Sequence, residues 1–408
     1  MSATVMDEPL LRSHGFRNLF VAGAVSQFGS QISYVALPLL AVTTLGAGAG
    51  EVGLLSALGT LTVLLLGLPA GAWVDRVRRR PVMIATDVLR AAALLSVPVA
   101  WWGGWLSMGQ LYAVVIVVGA GTLLFEVASM SLVPALVGRE RLTSANSLLV
   151  GTGAGMDIAG RSVAGVLVQL AGAPLAVVAD ALSYLWSALW LRALPEPAVP
   201  EPASGREPIR GQIAAGVRFL FGNSTLVAAL VQGAMANLAY PLCSVLLPVL
   251  IVDQLGYPEW VLGAYLAAGG FGVLAGSSVA HLIGRRLGTG RATWLVGLAA
   301  APAAFLIPFL DRGPWIWAAA AAWFVMTFRT GVNNVLLVSL RQRVTPDAML
   351  GRMTATMRLL LMGAVGVGGL LAGGLGELWG VRSALWLGTL IMSVSWIPIL
   401  LSPLRRQP

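Results

Sequence analysis

Uncharged stretches recur along the whole chain, and short charged segments separate them. Residues 52–74, 91–125, 219–252 and 383–404, for example, contain no Asp, Glu, Lys or Arg. About 20 consecutive apolar residues span the hydrocarbon core of a bilayer as a helix, and a helix satisfies its own backbone hydrogen bonds where lipid offers no partners. The pattern therefore predicts an all-α polytopic membrane protein.

Twelve membrane spans can be placed on the sequence. They are expected at residues 16–44, 52–74, 82–103, 109–137, 143–171, 174–194, 220–251, 258–283, 291–311, 314–340, 350–378 and 381–403. The first apolar stretch is too long for a signal peptide, so we expect it to remain as a membrane span.

A Pro- and Glu-rich segment, residues 195–208, separates the sixth span from the seventh. This composition is typical of an extended, solvated linker. The twelve transmembrane helices are therefore predicted to form two six-helix bundles, residues 1–194 and 220–408, joined by a cytoplasmic linker at 195–219. The two halves share a weak repeat of polar positions, with Gln27, Gln31 and Tyr34 in the first span and Gln232, Asn237 and Tyr240 in the seventh. Parallel repeats of this kind are typical of one transporter architecture.

The end of the linker, residues 209–221, places Ile213, Val217 and Leu220 on one helical face. This suits a helix that lies on the cytoplasmic membrane surface. An early start of the seventh span would produce the same pattern, and the sequence leaves both interpretations open.

The positive charge of the chain is concentrated on one side of the predicted membrane. All 26 basic residues are Arg, and the formal net charge is +9. The opposite loops hold mainly acids, among them Glu51, Asp253 and Glu259. The positive-inside rule then places both termini in the cytoplasm. The charge therefore indicates membrane topology rather than nucleic-acid binding.

The composition excludes several kinds of chemistry. A P-loop ATPase needs its phosphate-binding Lys, and the chain has no Lys. One cysteine, Cys243, permits no internal disulfide and no thiolate metal cluster, and His14 and His281 are far apart in the sequence. We therefore expect no metal, no cofactor and no enzymatic activity.

The segment GAWVDRVRRR, residues 71–80, follows the second span and concentrates charge. Its pattern resembles the loop-two signature of the major facilitator superfamily. The residues that match are Gly71, Asp75, Arg76, Arg79 and Arg80. The resemblance implies a conformational latch, in which Asp75 faces the positive N-terminus of another helix when the cytoplasmic side is closed. Arginines that only anchor the topology would explain the bases, but not the acid placed first.

The fifth span resembles the antiporter motif of exporters in this superfamily at Gly151, Gly160 and Gly165. It departs from that motif at Arg161, where the family has Pro, and at Ala164, where it has Gly. The missing Pro weakens the indication of export.

Four ionisable residues lie deep in predicted spans: Glu126, Asp157, Arg161 and Arg329. Each ionised residue at the bilayer centre costs about 2.5–3.5 kcal/mol on insertion scales, so such residues usually face a cavity or one another. Asp157 and Arg161, at i and i+4, share a helix face and can pair. They form either a packing lock or a pair whose rearrangement tunes proton coupling.

Energy has to come from an ion gradient if no nucleotide is bound, and a proton carrier is an acid that alternates between neutral and charged forms. Glu126 has no cation within four residues along the sequence, so we predict that it carries the proton. Asp87 and Arg90 lie closer to the cytoplasmic ends of their spans and are expected to snorkel. Asp180 is expected at the outer interface.

The resemblance implies that spans one, four, seven and ten line a central substrate cavity. The polar residues predicted there are Gln27, Gln31, Tyr34, Glu126, Asn237, Tyr240, Arg329, Asn333 and Asn334. Amides and phenols among apolar walls suit an amphipathic organic ligand, although each amide could instead satisfy a neighbouring helix.

These features predict a monomeric secondary transporter of the bacterial inner membrane, with protons and a small molecule as its partners. The chain resembles the macrolide and siderophore exporter branch, which implies proton-coupled efflux. Uptake of a small nutrient is the alternative within transport. A membrane scaffold or sensor is the alternative from another class, and buried charges disfavour it.

Overall fold

Helices account for the regular structure in all the described parts of the chain. The computed structural model describes residues 10–74, 76–138, 141–194 and 209–406. Its fourteen α-helices are α1 (His14–Leu45), α2 (Ala49–Val74), α3 (Arg79–Trp102), α4 (Met108–Val137), α5 (Leu142–Ala171), α6 (Ala173–Arg192), α7 (Ile209–Phe221), α8 (Ser224–Ser244), α9 (Glu259–Leu287), α10 (Thr289–Ala304), α11 (Pro314–Val344), α12 (Asp347–Trp379), α13 (Val381–Val394) and α14 (Ile397–Leu401). The predicted linker at 195–208 lies outside the described residues.

A long helix or a helix pair occupies each of the twelve predicted spans. The seventh span continues from α8 into a π-helical segment at Pro248–Gln254, and the twelfth comprises α13 and α14. Among the described residues, ten helices are long and apolar enough to cross a membrane. α5 and α11, which are not among these ten, contain 30 and 31 residues. The prediction of an all-α polytopic fold is confirmed.

The first of two compact units comprises Met1–Leu45 and Thr62–Pro202. Within it, α6 packs against α1 and α3, α3 packs against α4, and α1 also packs against α5. Its core contains the buried side chains of Phe16, Leu19, Met83, Phe125, Leu132 and Leu191. Gly172, with φ of 81°, allows the one-residue turn between α5 and α6.

The second unit comprises Gly46–Leu61 and Ala203–Pro408. Its main pairs are α9 with α11 and α8 with α12. A Cβ added to Gly53 of α2 would lie 2.3 Å from the Cα of Gly373 in α12. The two backbones are therefore in direct contact, which small residues permit between membrane helices.

The single cysteine of the sequence contributes to packing in the second unit. Cys243 is fully buried in α8. A Cβ added to Gly388 of α13 would lie 2.7 Å from the Cys243 Sγ. The sulfur atom therefore occupies the space that the missing Gly388 side chain leaves.

α7 is a helix separate from the seventh span. It ends at Phe221, and α8 begins at Ser224 after Asn223, whose side chain accepts hydrogen bonds from the backbone N–H groups of Thr225 and Leu226. This N-cap fixes a new helix start, so the interpretation of residues 209–221 as an early start of span seven is wrong.

Candidate functional site

A polar network in the first unit links α1 to α5. Gln27 and Gln31, one turn apart on α1, donate amide hydrogen bonds to Asp157 Oδ1 at 3.0 and 2.8 Å. Gln31 Oε1 in turn accepts a hydrogen bond from Arg161 Nε at 2.7 Å. Gln31 therefore stands between the acid and the base of α5, and contacts both through a single amide group.

Tyr34 extends this network by one further turn of α1. The guanidinium carbon of Arg161 lies 4.9 Å from the centre of the Tyr34 ring, within the range of a cation–π interaction. Tyr34 is 43% exposed, so its ring also presents a face to the surroundings. Four of the residues predicted in the first half are thus brought together with Asp157.

Glycine makes the close approach of α5 to α1 possible. A Cβ added to Gly160 would lie 2.7 Å from the Phe28 carbonyl oxygen and 2.6 Å from the Gln31 Cβ. Gly160 belongs to the segment that resembles the antiporter motif. Its local role here is to bring Asp157 and Arg161 within reach of the α1 amides.

Glu126 lies half-buried in α4 of the same unit. Its neighbour Phe125 is buried and belongs to the core of this unit. Glu126 is thus placed on the partly accessible side of a helix whose adjacent position is packed. The role of Glu126 as a proton carrier stays a prediction.

A small cavity in the second unit, of about 100 Å³, brings together all of the residues predicted in the second half. Its predicted lining residues are Asn237, Tyr240, Arg329, Asn333 and Asn334, and Gln232, Thr330 and Arg341 add further polar groups. Apolar walls come from α8, α11 and α12, including Ala236 and Leu361. The mixture of few polar groups and apolar walls is typical of a site for an organic molecule.

Arg329 supplies the positive charge of this cavity. It is 1% exposed, and its Nη1 donates to the Met392 carbonyl oxygen at 3.1 Å and to Ser395 Oγ at 2.7 Å. Its Nε and Nη2 have no hydrogen-bond partner among the described residues. A buried donor without a partner costs about 1–3 kcal/mol, and more when it is charged. The guanidinium therefore keeps two buried donors that the described residues do not satisfy.

Three aromatic rings form one wall next to the cavity. Trp323, which is buried, lies 5.4 Å from the Tyr240 ring and 6.0 Å from the Tyr265 ring, measured between ring centres. Of these three rings, only that of Tyr240 was predicted at the site from the sequence. The i, i+4 relation that orders residues along one helix cannot reveal stacking between α8, α9 and α11.

The residues of the predicted latch are only partly described. Asp75 lies outside the described residues, and Gly71 lies within α2. Arg76 is exposed, whereas Arg79 and Arg80 are half-buried at the start of α3. Arg80 donates a hydrogen bond to the backbone carbonyl of Arg192 at the end of α6. A cation at a helix C-terminus is electrostatically favourable.

A buried charged cluster in the first unit was not predicted. Asp87, Arg90 and Asp180 are each at most 1% exposed. Arg90 forms an ion pair with Asp87 and donates to Thr122 Oγ1 at 3.1 Å, and Asp180 Oδ1 accepts a hydrogen bond from Ser183 Oγ at 3.2 Å. The expectations of snorkelling for Asp87 and Arg90 and of an interfacial position for Asp180 are wrong, because α3 and α6 direct these side chains into the interior of the unit.

The surroundings of this cluster are aromatic and dry. The guanidinium carbon of Arg90 lies 4.0 Å from the ring centre of Tyr184 and 4.9 Å from that of Phe125. The Oδ2 atoms of Asp87 and Asp180 have no hydrogen-bond partner among the described residues. The signal that could have revealed it is the i, i+3 spacing of Asp87 and Arg90, which puts opposite charges on one helix face.

The described residues contain no group of three or more His, Cys, Asp or Glu side chains that could hold a metal ion. The polar clusters are built from amides, carboxylates, guanidinium groups and phenols instead. Such groups recognise organic molecules and protons.

Long apolar helices that enclose isolated polar clusters define a polytopic membrane transporter. A family model for the Major Facilitator Superfamily matches residues 19–368. The chain belongs to the major facilitator superfamily, as the signature at residues 71–80 had suggested.

Curated relatives of the chain include exporters that match it over nearly the full length. It is 27% identical over 402 residues to the multidrug efflux pump Tap of Mycolicibacterium fortuitum, which covers 95% of this chain and 96% of the relative. It is 26% identical over 411 residues to the enterobactin exporter EntS of Escherichia coli O1:K1 / APEC, which covers 97% of this chain and 94% of the relative.

Solved structures share the fold at lower sequence identity. A bacterial homologue of the iron transporter ferroportin, in the inward-facing state, aligns with a TM-score of 0.75 and 16% identity over 96% of this chain and 99% of that chain. The nucleoside transporter NupG aligns with a TM-score of 0.72 and 12% identity over 94% of this chain and 97% of that chain. The major facilitator fold is thereby confirmed.

Proposed function

We propose that the chain is a proton-coupled exporter of an amphipathic small molecule, of the drug-like, secondary-metabolite or siderophore type, that works by alternating access. The observation that carries this proposal is the pair of polar clusters set in otherwise apolar helices, one around Asp157 and one around Arg329. The full-length similarity to a multidrug efflux pump and to a siderophore exporter supports the direction of transport.

Each cluster is proposed to offer groups that suit the substrate. Gln27, Gln31 and Tyr34 offer amides and a phenol in the first unit, and Asn237, Tyr240, Asn333, Asn334 and Arg329 offer amides, a phenol and a cation in the second. The unpartnered N–H groups of Arg329 favour a substrate that carries a carbonyl oxygen or an anionic group. The ring of Tyr240, which lines the cavity, suits its apolar part.

Proton coupling is proposed to use Glu126 as the carrier and the Asp157–Gln31–Arg161 chain as the responsive network. A proton that crosses 100 mV gains about 2.3 kcal/mol before any pH difference is counted. Gln31 contacts the acid and the base together. A change at Arg161 is therefore transmitted to Asp157 through one side chain.

The latch is proposed to consist of Gly71, Asp75, Arg76, Arg79 and Arg80, and to hold the cytoplasmic side closed. Asp75→Asn keeps the shape of the side chain and removes its charge. It is expected to slow transport strongly and to leave substrate binding largely intact. Wild-type transport by this variant would mean that the arginines serve only as topology anchors.

Both termini are proposed to be cytoplasmic in a monomer that resides in the bacterial inner membrane. The one-sided distribution of the arginines supports this orientation. Reporter fusions at residues 200 and 290 are expected to report a cytoplasmic location. A fusion that reports the outside at both positions would overturn the topology.

The decisive experiment is a substrate-panel assay in everted membrane vesicles that contain the chain. Gradient-driven accumulation that a protonophore abolishes is expected for at least one amphipathic compound. Accumulation only in intact cells would indicate uptake instead, and no flux of any compound would favour the scaffold or sensor.

Two variants locate the carrier in the same assay. Glu126→Gln is expected to abolish gradient-driven transport and to retain passive exchange of substrate. If Glu126→Gln still accumulates substrate and Asp157→Asn does not, the carrier is Asp157. If both variants accumulate substrate, the carrier lies elsewhere or the driving ion is not a proton.

A further inference from the structure

A cationic pocket of about 640 Å³ lies in the second unit where α9 ends, α10 begins and α11 ends. Its charged lining consists of Arg285, Arg286, Arg291 and Arg343, with His281 beside them. Thr289 and Ser339 add hydroxyl groups. This cationic pocket is distinct from the cavity that contains Arg329, and none of its residues has a part in the proposed transport site.

The helices that line the cationic pocket supply almost no acidic side chain that could serve as its counter-charge. Residues 260–310 and 312–346, which contain almost all of α9, α10 and α11, include no Asp or Glu. None of the four arginines of the pocket has an ion pair within the described ranges. Like charges held this close repel one another, and an anion that bound between them would relieve that repulsion.

Helix ends add to the preference for an anion. Gly288, with φ of 80°, joins α9 directly to α10 and brings their ends together. Arg291 stands in the first turn of α10, where the helix dipole favours a negative charge and disfavours a cation. Arg343 Nη2 donates to Thr289 Oγ1 at 3.0 Å, which holds this guanidinium beside the N-terminus of α10.

Exposed apolar side chains border the cationic pocket on the same helices. Leu282 and Leu287 of α9 and Val338 of α11 are each between 41% and 47% exposed. Leu287, Val335 and Leu336 also line the pocket itself. A free inorganic anion would use only the charged part, whereas a lipid uses the charged part for its headgroup and the apolar rim for its acyl chains.

We propose that the cationic pocket binds the phosphate headgroup of an anionic phospholipid. Basic pockets between membrane helices on the cytoplasmic side bind such headgroups in general, and guanidinium groups match phosphate oxygens by paired hydrogen bonds. The proposal does not depend on which molecule is transported.

Lipid binding can be measured on the purified full-length chain by thermal unfolding with added lipid and by native mass spectrometry. Phosphatidylglycerol is expected to raise the unfolding temperature and to remain bound, while phosphatidylcholine is not. Arg286→Gln combined with Arg291→Gln is expected to weaken phosphatidylglycerol binding on the order of 25-fold, about fivefold for each arginine.

Arg382→Gln is the matched control. It removes one positive charge near Asp311, with which Arg382 forms an ion pair, and it is expected to bind phosphatidylglycerol like the wild type. Equal binding by the double variant and the control would overturn the proposal. Equal stabilisation by inorganic phosphate alone would also overturn it, because the site would then be one for free anions.

Discussion

The guanidinium group of Arg90 lies over the ring of Tyr184, with 4.0 Å between the guanidinium carbon and the ring centre. Tyr184 is fully buried, and its hydroxyl group lies 2.9 Å from Ser30 Oγ of α1. The pair therefore connects α3, α6 and α1 through one stacked contact. Arg90 is at once the counter-charge of Asp87 and a part of the packed interior.

Arg90→Gln is expected to destabilise the first unit by about 3–5 kcal/mol, because it leaves Asp87 buried without its cation. Thermal unfolding in detergent measures the change. Arg192→Gln, on an exposed side chain at the end of α6, is the control and is expected to cost less than about 1 kcal/mol. Equal melting temperatures for the two variants would show that the cluster contributes nothing to stability.

Gln31→Leu is expected to lower the transport rate at least about tenfold, because it removes the amide that contacts both Asp157 and Arg161. Hydrogen bonds to charged groups contribute about 1.5–3 kcal/mol each. Gln27→Leu, which removes one such bond, is expected to have a smaller effect. Gln169→Leu, on an exposed position of α5, serves as the control, and a Gln31→Leu rate that matches it would contradict the network.

Arg329→Gln is expected to weaken binding of carbonyl-rich or anionic substrates about tenfold or more, because the cation that lines the cavity is lost. Ser395→Ala removes one partner of Arg329 but keeps its guanidinium group, so its substrate affinity is expected to change little. Direct binding to the purified variants measures both. Unchanged affinity and unchanged pH dependence in Arg329→Gln would exclude a role in recognition.

Gly53→Ala is expected to destabilise the second unit by about 1–3 kcal/mol, because the added methyl group overpacks the contact between α2 and α12. Gly374→Ala is a close control, since a Cβ at this neighbouring position of α12 meets no atom within 4 Å. It is expected to be neutral or slightly stabilising, because Ala favours a helix over Gly. Equal unfolding temperatures for both variants would refute the tight contact.

The helices were predictable because length and apolarity alone determine what spans a bilayer. The direction in which a side chain points from its helix was not predictable. Asp87 and Asp180 were assigned to interfaces by counting residues along each span. This count gives the depth of a residue in the membrane, but not the rotation of the helix about its own axis. The i, i+3 spacing of Asp87 and Arg90 could have indicated that these two residues pair. Helices that are apolar on all sides carry little information about which side faces a neighbour, so the burial of both acids inside the unit could not be deduced.

The candidate site shows the same limit. The spacing of Gln27, Gln31 and Tyr34 on one face of α1 follows from helix geometry. The position of Asp157 opposite that face depends on the close approach of α5 at Gly160, which is a tertiary contact. Arg329 was predicted to line the cavity, but its partners, the Met392 carbonyl and the Ser395 hydroxyl group, are tertiary contacts that the sequence does not reveal.

The packing of Cys243 against Gly388 decides how this protein can be studied by chemical labelling. A fully buried thiol does not meet maleimide or nitroxide reagents in the folded chain, and it is the only thiol in the sequence. The unmodified protein therefore does not react with thiol-directed probes, and its native cysteine need not be removed before labelling. Cysteines introduced at the exposed Gln169 and Leu378 would be the only reactive groups, and the distance between probes at these two positions could follow the transport cycle.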